Sequence, residues 1–459
     1  MKKKLSVLAV LLVVGLLTAL TVSALSATGS RTTGVVVQNL GDQEAAVRLD
    51  YYDQDGDQVV YTETMIQPAS AVGFGANNQA GLTDGFVGSL VVSADQPIAA
   101  IGNDTDSDSV GFYSAVSAGA TKLYVPALYK NYGNWFSEIW IQAVETVPTG
   151  ATATIIFRDR SGNQTGTTKT VDLTTYATIK VSPSDYADIS DGWAGGAVIE
   201  SSYAMAAVIR NTRDTGATGM IAEEYNAFAA GDTEVYVPAI YKSYGVWNSN
   251  GINVQNLGTQ TTTVSIDFYD RLGNKTYTYN FPSEFAANGG VSAVNTKNIA
   301  DADLPTGWAG TAVIKSNNGQ PVIGIVDVTS TSQGKGNVYN AVLGTDGATT
   351  VYLPSQYKRY GGWRSGVIAM NLGPADAVVT FEFYARGATT TSAVTSTTVS
   401  QYIAFAKNTL NADLGLPDGW SGTVVVKSVG GNVVVVGNVD GGYTANAGKA
   451  GMYNAFPKK

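Results

Sequence analysis

The chain of 459 residues contains no histidine and no cysteine. The lack of histidine excludes Ser-His-Asp and Cys-His catalytic centres, together with zinc, copper and non-haem iron sites that depend on imidazole ligands. The lack of cysteine excludes disulfides, so stability has to come from hydrophobic cores. The catalytic chemistry that is left belongs to carboxylate pairs or Ser-Lys pairs, and no motif for either stands in a convincing context.

Charged residues are also scarce, at 14% of the chain, and the formal net charge is −9. An acidic protein repels a phosphate backbone, so nucleic acid is not expected as a partner. The 52 glycines accompany many short polar runs, which is typical of extracellular β-proteins with many turns. We therefore predict an all-β protein that is not an enzyme.

The first residues indicate export. Three lysines at positions 2–4 precede an apolar stretch over residues 5–20, and small residues follow it. This pattern predicts a signal peptide over residues 1–27, cleaved near Ala24 or Ala27. The mature protein is then expected outside the cell, secreted or at the cell surface, with no part inserted in a membrane. The apolar stretch is almost long enough to cross a bilayer, so a retained N-terminal anchor is the alternative.

Four sequence cassettes recur in a fixed order and define the domains. The first resembles Val37-Gln38-Asn39-Leu40-Gly41, and the second is an alternating strand that runs into a glycine-containing turn. The third has the pattern Gly-Trp-(Ala/Ser)-Gly, whose Trp we interpret as a core residue. The fourth begins at each of four tyrosines, namely Tyr113, Tyr225, Tyr339 and Tyr453.

The repeats predict four tandem immunoglobulin-like β-sandwich domains, each of about 113 residues and about seven strands. A small β-barrel in each repeat is the alternative. The predicted domains follow the signal peptide and cover residues 28–119, 120–231, 232–347 and 348–459.

A fifth cassette, Tyr-x-Pro followed by aromatic residues, occurs three times rather than four, at 124–135, 236–247 and 352–363. Three copies among four repeats predict a junction element that wedges neighbouring domains into a stiff, elongated array. A repeated contact with a glycan or a protein is the other interpretation of its aromatic residues, which are Tyr129, Tyr132, Trp135, Tyr241, Tyr244, Trp247, Tyr357, Tyr360 and Trp363.

Two acidic clusters in the first repeat are candidate calcium ligands, because alternating carboxylates beside a glycine can form an oxygen cage. They comprise Asp53, Asp55 and Asp57 in a hairpin turn, and Asp104, Asp106 and Asp108 further along. Neither pattern completes a calcium loop, so an ordinary turn and a solvated loop are the preferred interpretations. We expect no other cofactor.

At the level of this architecture, the mature chain resembles the tandem β-sandwich arrays of bacterial secreted proteins, including surface-layer and adhesin-type arrays. The resemblance implies a structural or adhesive protein whose partners are cell-surface components, glycans or like subunits. Head-to-tail association of the fourth domain with the first domain of the next molecule is one hypothesis, and a monomer with short capped ends is the preferred alternative. The alternative function is an extracellular carbohydrate-binding protein that uses the repeated aromatic residues.

Overall fold

The computed structural model describes residues 18–28, 31–216, 219–442 and 446–458. Its regular structure is almost entirely β-strand, with a few three-residue 3₁₀ turns, which confirms the all-β class. None of the helical turns in the described residues has the length and apolarity needed to span a membrane.

The strands of the first repeat are β1 (Thr18–Thr28), β2 (Arg31–Asn39), β3 (Ala45–Tyr52), β4 (Gln58–Ile66), β5 (Ala71–Gly75), β6 (Phe86–Ala94), β7 (Ile98–Thr105) and β8 (Val110–Ser114). Those of the second are β9 (Ala120–Tyr132), β10 (Trp135–Ala143), β11 (Thr152–Asp159), β12 (Lys169–Asp172), β13 (Thr178–Val181), β14 (Trp193–Asp214) and β15 (Met220–Asn226).

The strands of the third repeat are β16 (Glu234–Lys242), β17 (Asn248–Asn256), β18 (Val264–Asp270), β19 (Lys275–Asn280), β20 (Val291–Val294), β21 (Trp308–Ser316), β22 (Val322–Ser330), β23 (Lys335–Asn340) and β24 (Val342–Leu343). Those of the fourth are β25 (Thr350–Tyr360), β26 (Trp363–Asn371), β27 (Ala377–Ala385), β28 (Thr391–Val399), β29 (Ala404–Asn408), β30 (Trp420–Val429), β31 (Val433–Gly441), β32 (Ala450–Asn454) and β33 (Phe456–Pro457).

The third repeat shows the two layers of the sandwich as separate sheets, in the orders β19-β18-β21-β16-β24 and β20-β17-β22-β23. In the other repeats the hairpin between the first two strands joins the corresponding layers into one sheet. An immunoglobulin sandwich instead places its first, second, fifth and fourth strands side by side. The predicted sandwich is therefore present, but its connectivity differs from the immunoglobulin order.

The Trp of the third cassette is buried in every repeat that has it. Trp193, Trp308 and Trp420 are less than a tenth exposed, as is Phe86 at the same place in the first repeat. Each indole meets the edge of a core phenylalanine, for example Phe268 beside Trp308. The interpretation of this Trp as a core residue is confirmed.

The fifth cassette is not a linker, which corrects the prediction of a junction element. Residues 124–132 lie in β9, inside the sheet of their own repeat between β10 and β14. The pairing of β9 with β14 shifts between Val125 and Leu128, so Pro126 sits in a bulge, where its missing N–H leaves the ladder intact. The proline of this cassette therefore marks a bulge in the sheet.

The tyrosine of the fourth cassette satisfies the backbone groups that the bulge sets free. The Tyr225 hydroxyl donates to the carbonyl oxygen of Ala127 at 2.6 Å and accepts from the Ala127 N–H at 3.2 Å. Tyr339 does the same at Ala239, and Tyr453 at Ser355. The two cassettes therefore depend on each other, because a buried bulge would otherwise carry unpaired polar groups.

The first repeat also has this strand, although its sequence lacks the cassette. Strand β1 pairs with β6 and shows the same register shift, between Val22 and Leu25, and Leu20 and Val22 are fully buried. The predicted signal peptide therefore overlaps a central strand, and the folded repeat includes residues before position 28. Cleavage near Ala24 or Ala27 would remove most of β1, so those positions conflict with this fold.

The four repeats close into a ring. Their last strands β8, β15, β23 and β32 contact one another in cyclic order, and β32 meets β8. The core of each repeat also extends onto the next one: Trp140 packs in the first core, Leu257 in the second, Ile368 in the third and Phe112 in the fourth. The predicted elongated array is therefore wrong, because each repeat covers apolar surface on its neighbour and the fourth covers that of the first.

Polar side chains at one position of the fourth cassette join the repeats around this ring. Asn226 donates to the Ser114 carbonyl at 2.7 Å, Asn340 to the Asn226 carbonyl at 2.8 Å, and Asn454 to the Asn340 carbonyl at 2.7 Å. The Ser114 hydroxyl closes the cycle on the Asn454 carbonyl at 3.2 Å. The contact expected between molecules, fourth repeat on first, is thus made within one chain.

Candidate functional site

The aromatic residues of the fifth cassette gather at the tip of the hairpin that follows each copy. Tyr129 stacks on Tyr132 with ring centroids 6.1 Å apart, and the equivalent pairs Tyr241–Tyr244 and Tyr357–Tyr360 are each 5.9 Å apart. The first tyrosine of each pair is buried or half-buried, and the second is exposed, as Tyr132 is. Trp135 and Trp363 begin the return strand, Trp247 directly precedes it, and all three are half-buried.

An arginine from the turn of the second cassette lies over each exposed tyrosine. Arg160 stands 4.9 Å from the ring centre of Tyr132, and Arg271 stands 4.6 Å from that of Tyr244. Arg386 is 5.8 Å from Tyr360. We call these three tyrosine–arginine pairs the hairpin tips. The structure therefore brings the arginines of the second cassette against the aromatic residues of the fifth.

The candidate calcium ligands have other partners. The Asp53 carboxylate accepts from the backbone N–H groups of Asp55 and Asp57 at 3.0 and 2.9 Å. Asp159 and Asp270 do the same in the second and third repeats, so this cluster is a turn shared by the repeats. Within the described ranges, no three His, Cys, Asp or Glu side chains are placed to hold a metal ion.

In the second acidic cluster, Asp104 and Asp106 form ion pairs with arginines. Asp104 is fully buried and accepts from Arg31 Nε at 2.6 Å and from Arg210 Nη1 at 3.2 Å. Asp106 accepts from Arg210 Nη2 at 2.8 Å and from Ser109. Asp108 lies in the exposed turn between β7 and β8. Arg210 belongs to the second repeat, so these acids bind the first two repeats to each other.

A second group of buried carboxyls lies between the second and third repeats. Glu223 on β15 and Asp327 on β22 are both buried and face each other, and burial raises the pKa of each. At the other boundary, between the first and second repeats, burial raises the pKa of Glu224 to about 8, with a further contribution from Asp104. Because the chain has no histidine or cysteine, few other side chains titrate near neutral pH.

These carboxyls predict a fold that loses stability as the pH rises. The unfolded state releases the protons of these carboxyls above about pH 4, whereas the folded state keeps them until the pH reaches the raised pKa values. The stabilisation is therefore complete below about pH 4 and is lost gradually as the pH rises towards the raised pKa values. We expect the free energy of unfolding to fall by on the order of 3 kcal/mol between pH 5 and pH 9.

Thermal unfolding across this pH range measures the effect. Glu223→Gln should flatten part of the slope, whereas the exposed Glu63→Gln should leave it unchanged. Equal slopes in the wild type and Glu223→Gln would refute the assignment.

A cavity of about 430 Å³ opens at the same boundary between the second and third repeats. Its walls carry Tyr129, Tyr132 and Trp135 from the second repeat, and Asn253 and Asp327 from the third. The corresponding space between the third and fourth repeats measures only about 50 Å³. It is lined by Ile368, the residue of the fourth repeat that is equivalent to Asn253.

Sequence reasoning found the aromatic wall of this cavity but missed the opposite wall. Asn253 occurs within a cassette that reads as a sandwich strand, and Asp327 interrupts an apolar strand without any motif. The available signal was the polar residue type of Asn253. Ile368 and Val36, which occupy the same position of the cassette in the fourth and first repeats, are apolar.

Comparisons with known proteins add no family. No protein-family model matches the chain, and no curated protein matches it either. Among solved structures, the chain is similar to Thermotoga maritima 1070 at 16% identity, over 25% of this chain and 97% of that one, with a TM-score of 0.20. It is similar to a family 32 glycoside hydrolase from Bifidobacterium adolescentis at 9% identity, over 96% and 95% of the two chains, with a TM-score of 0.15. Scores this low carry no argument about fold or function.

Proposed function

We propose that the protein is a non-catalytic, secreted component of a cell surface with a structural or adhesive role. The observation that carries this proposal is the repetition of the hairpin tips at the same place in three repeats of one closed ring. Exposed tyrosine and arginine are the residues most often used in protein contact surfaces. Three equal tips on one rigid body bind a repetitive surface with an avidity that a single tip lacks.

Export is part of the proposal. The three N-terminal lysines and the apolar stretch after them are the export signal. The buried position of β1 supports a mature chain that keeps Leu20 and Val22, whether by cleavage before them or by a retained anchor.

Removal of the tips tests the adhesive role. The triple variant Tyr132→Ala, Tyr244→Ala and Tyr360→Ala should bind isolated cell walls of the producing organism at least tenfold more weakly than the wild type. Each single variant should lose only a few-fold. Tyr61→Ala is the matched control, because Tyr61 is also exposed and lies under an arginine, Arg48, but away from the tips. A triple variant that binds as the wild type does would overturn the proposal.

A carbohydrate-binding role is the second candidate. The observation that favours it is the cavity between the second and third repeats, which combines aromatic rings with amide and carboxyl groups as sugar-binding pockets do.

A further inference from the structure

We propose that the cavity between the second and third repeats binds one acidic saccharide unit, a sugar that carries a carboxylate. The inference deepens the proposed binding role and rests on it. The cavity volume of about 430 Å³ lies within the range of roughly 300–1,000 Å³ that is usual for small-ligand pockets.

One wall of the cavity offers flat apolar rings. The centroids of Tyr129 and Trp135 are 5.9 Å apart, and Tyr132 extends the surface beside them. The axial C–H groups of a pyranose ring form an apolar face that packs on such a surface, while its hydroxyl groups point sideways. Arg160 lies over one face of Tyr132 and Arg213 over one face of Trp135, so a sugar ring would pack against the parts of these rings that the arginines leave uncovered.

The opposite wall offers the amide of Asn253 and the carboxyl of Asp327, which faces the buried carboxyl of Glu223. Asn253 and Asp327 are more than nine-tenths buried, and Asn253 Nδ2 makes no hydrogen bond of ordinary geometry among the described atoms, although the Tyr129 hydroxyl lies close to this amide. Buried polar atoms normally have a partner. An amide and a carboxyl on adjacent strands can hold two neighbouring hydroxyl groups of a sugar, since a hydroxyl both donates and accepts.

A glycine keeps this wall open. Gly251 pairs with Asp327 across the two strands, and a Cβ atom there would stand 2.9 Å from Asn253 Nδ2 and 3.6 Å from the Asp327 side chain. A side chain at this position would therefore occupy the space next to both polar groups. The open wall is a consequence of this one residue.

The rim of the cavity supplies positive charge. Arg160, Arg213 and Lys297 all line it, and none of these three described side chains lies at ion-pair distance from a carboxylate. Arg213 Nε donates to the Gly133 carbonyl at 3.1 Å, which holds its guanidinium at the rim. In a chain of net charge −9, three unpaired cations around one cavity fit a ligand with a carboxylate.

Titration with a matched pair of sugars tests the inference. The intact protein is titrated with digalacturonate and with its uncharged methyl ester, and the heat release and the total tryptophan fluorescence, to which Trp135 contributes, are followed. We expect digalacturonate to bind at least tenfold more tightly than the ester. Arg213→Gln should remove most of this difference while leaving the affinity for the ester nearly unchanged.

Two further variants keep the test independent of folding. Asn253→Ile introduces the residue type that the fourth repeat carries at this position, and Gly251→Val fills the wall; each should lower the affinity at least tenfold with little change in the unfolding temperature. Ile314→Val, in the core of the third repeat, is the control and should bind as the wild type does.

Three results would overturn the inference: no binding of digalacturonate at millimolar concentration, undiminished binding by Asn253→Ile, or equally tight binding of citrate, which would show an anion site without sugar recognition. Loss of cell-wall binding by the hairpin-tip variant, together with any of these results, would leave the proposed function standing and remove only the saccharide site.

Discussion

Gly451→Val is expected to force the fourth repeat away from the first and to open the ring. Gly451 lies in β32, and a Cβ atom there would overlap the ring of Phe112 on β8. Phe112 belongs to the core of the fourth repeat and contacts Tyr453, with ring centroids 6.0 Å apart. Valine is favourable in a strand, so its effect comes from packing at the ring contact.

Overpacking of a buried contact costs about 1–3 kcal/mol or more. The variant should unfold at a lower temperature and show a larger radius of gyration, because a ring opened at one contact becomes a hinged chain. Gly73→Ala is the control at the same boundary, since its Cβ would stand an ordinary 3.5 Å from Arg386. A Gly451→Val variant with the unfolding temperature and radius of the wild type would show that the repeats do not meet there.

Arg210→Met is expected to destabilise the protein by about 3–5 kcal/mol. Arg210 is buried, and its guanidinium donates hydrogen bonds to Asp104 at 3.2 Å, Asp106 at 2.8 Å and Glu224 at 2.7 Å. Without it, carboxylates from two repeats face each other with Arg31 as their one remaining guanidinium among the described side chains. A buried charge that loses its partner is far more costly than an exposed one.

Arg359→Met provides the comparison. Arg359 pairs with Asp418 at 2.7 Å, but both side chains are more than half exposed, and such pairs contribute about 0–1 kcal/mol. Chemical denaturation of the two variants measures the difference. A loss below about 1 kcal/mol in Arg210→Met would mean that the buried cluster does not hold the first two repeats together.

Local patterns in the sequence predicted the local structure well. Alternating strands with glycine turns indicated the sandwich layers, and the apolar strand after each Gly-Trp pair indicated that Trp308 is buried. These features depend on neighbours within one repeat, so the period of the cassettes is enough to reveal them. The turn at Asp53 belongs to the same local pattern, and Asp159 and Asp270 form the equivalent backbone hydrogen bonds in the next two repeats.

Contacts between repeats were not predicted, because no pattern within one repeat encodes them. The acid run at Asp104 suggested a calcium site, while its arginine partner Arg210 lies in another repeat. Glycines inside the last strands were the overlooked signal: Gly111, Gly336 and Gly451 occupy strand interiors, where glycine often marks the close approach of another backbone. A Cβ at each of them would overlap a side chain of a neighbouring repeat in the ring.

The most direct test of the closed ring is the radius of gyration of the intact protein, measured by small-angle X-ray scattering at several concentrations. A compact body of this chain length has a radius of gyration of about 22–24 Å. Four sandwiches in a row would form a rod on the order of 120–160 Å long, with a radius of gyration of about 35–45 Å. A value near 23 Å is the result that the ring predicts, and a value near 40 Å would contradict it.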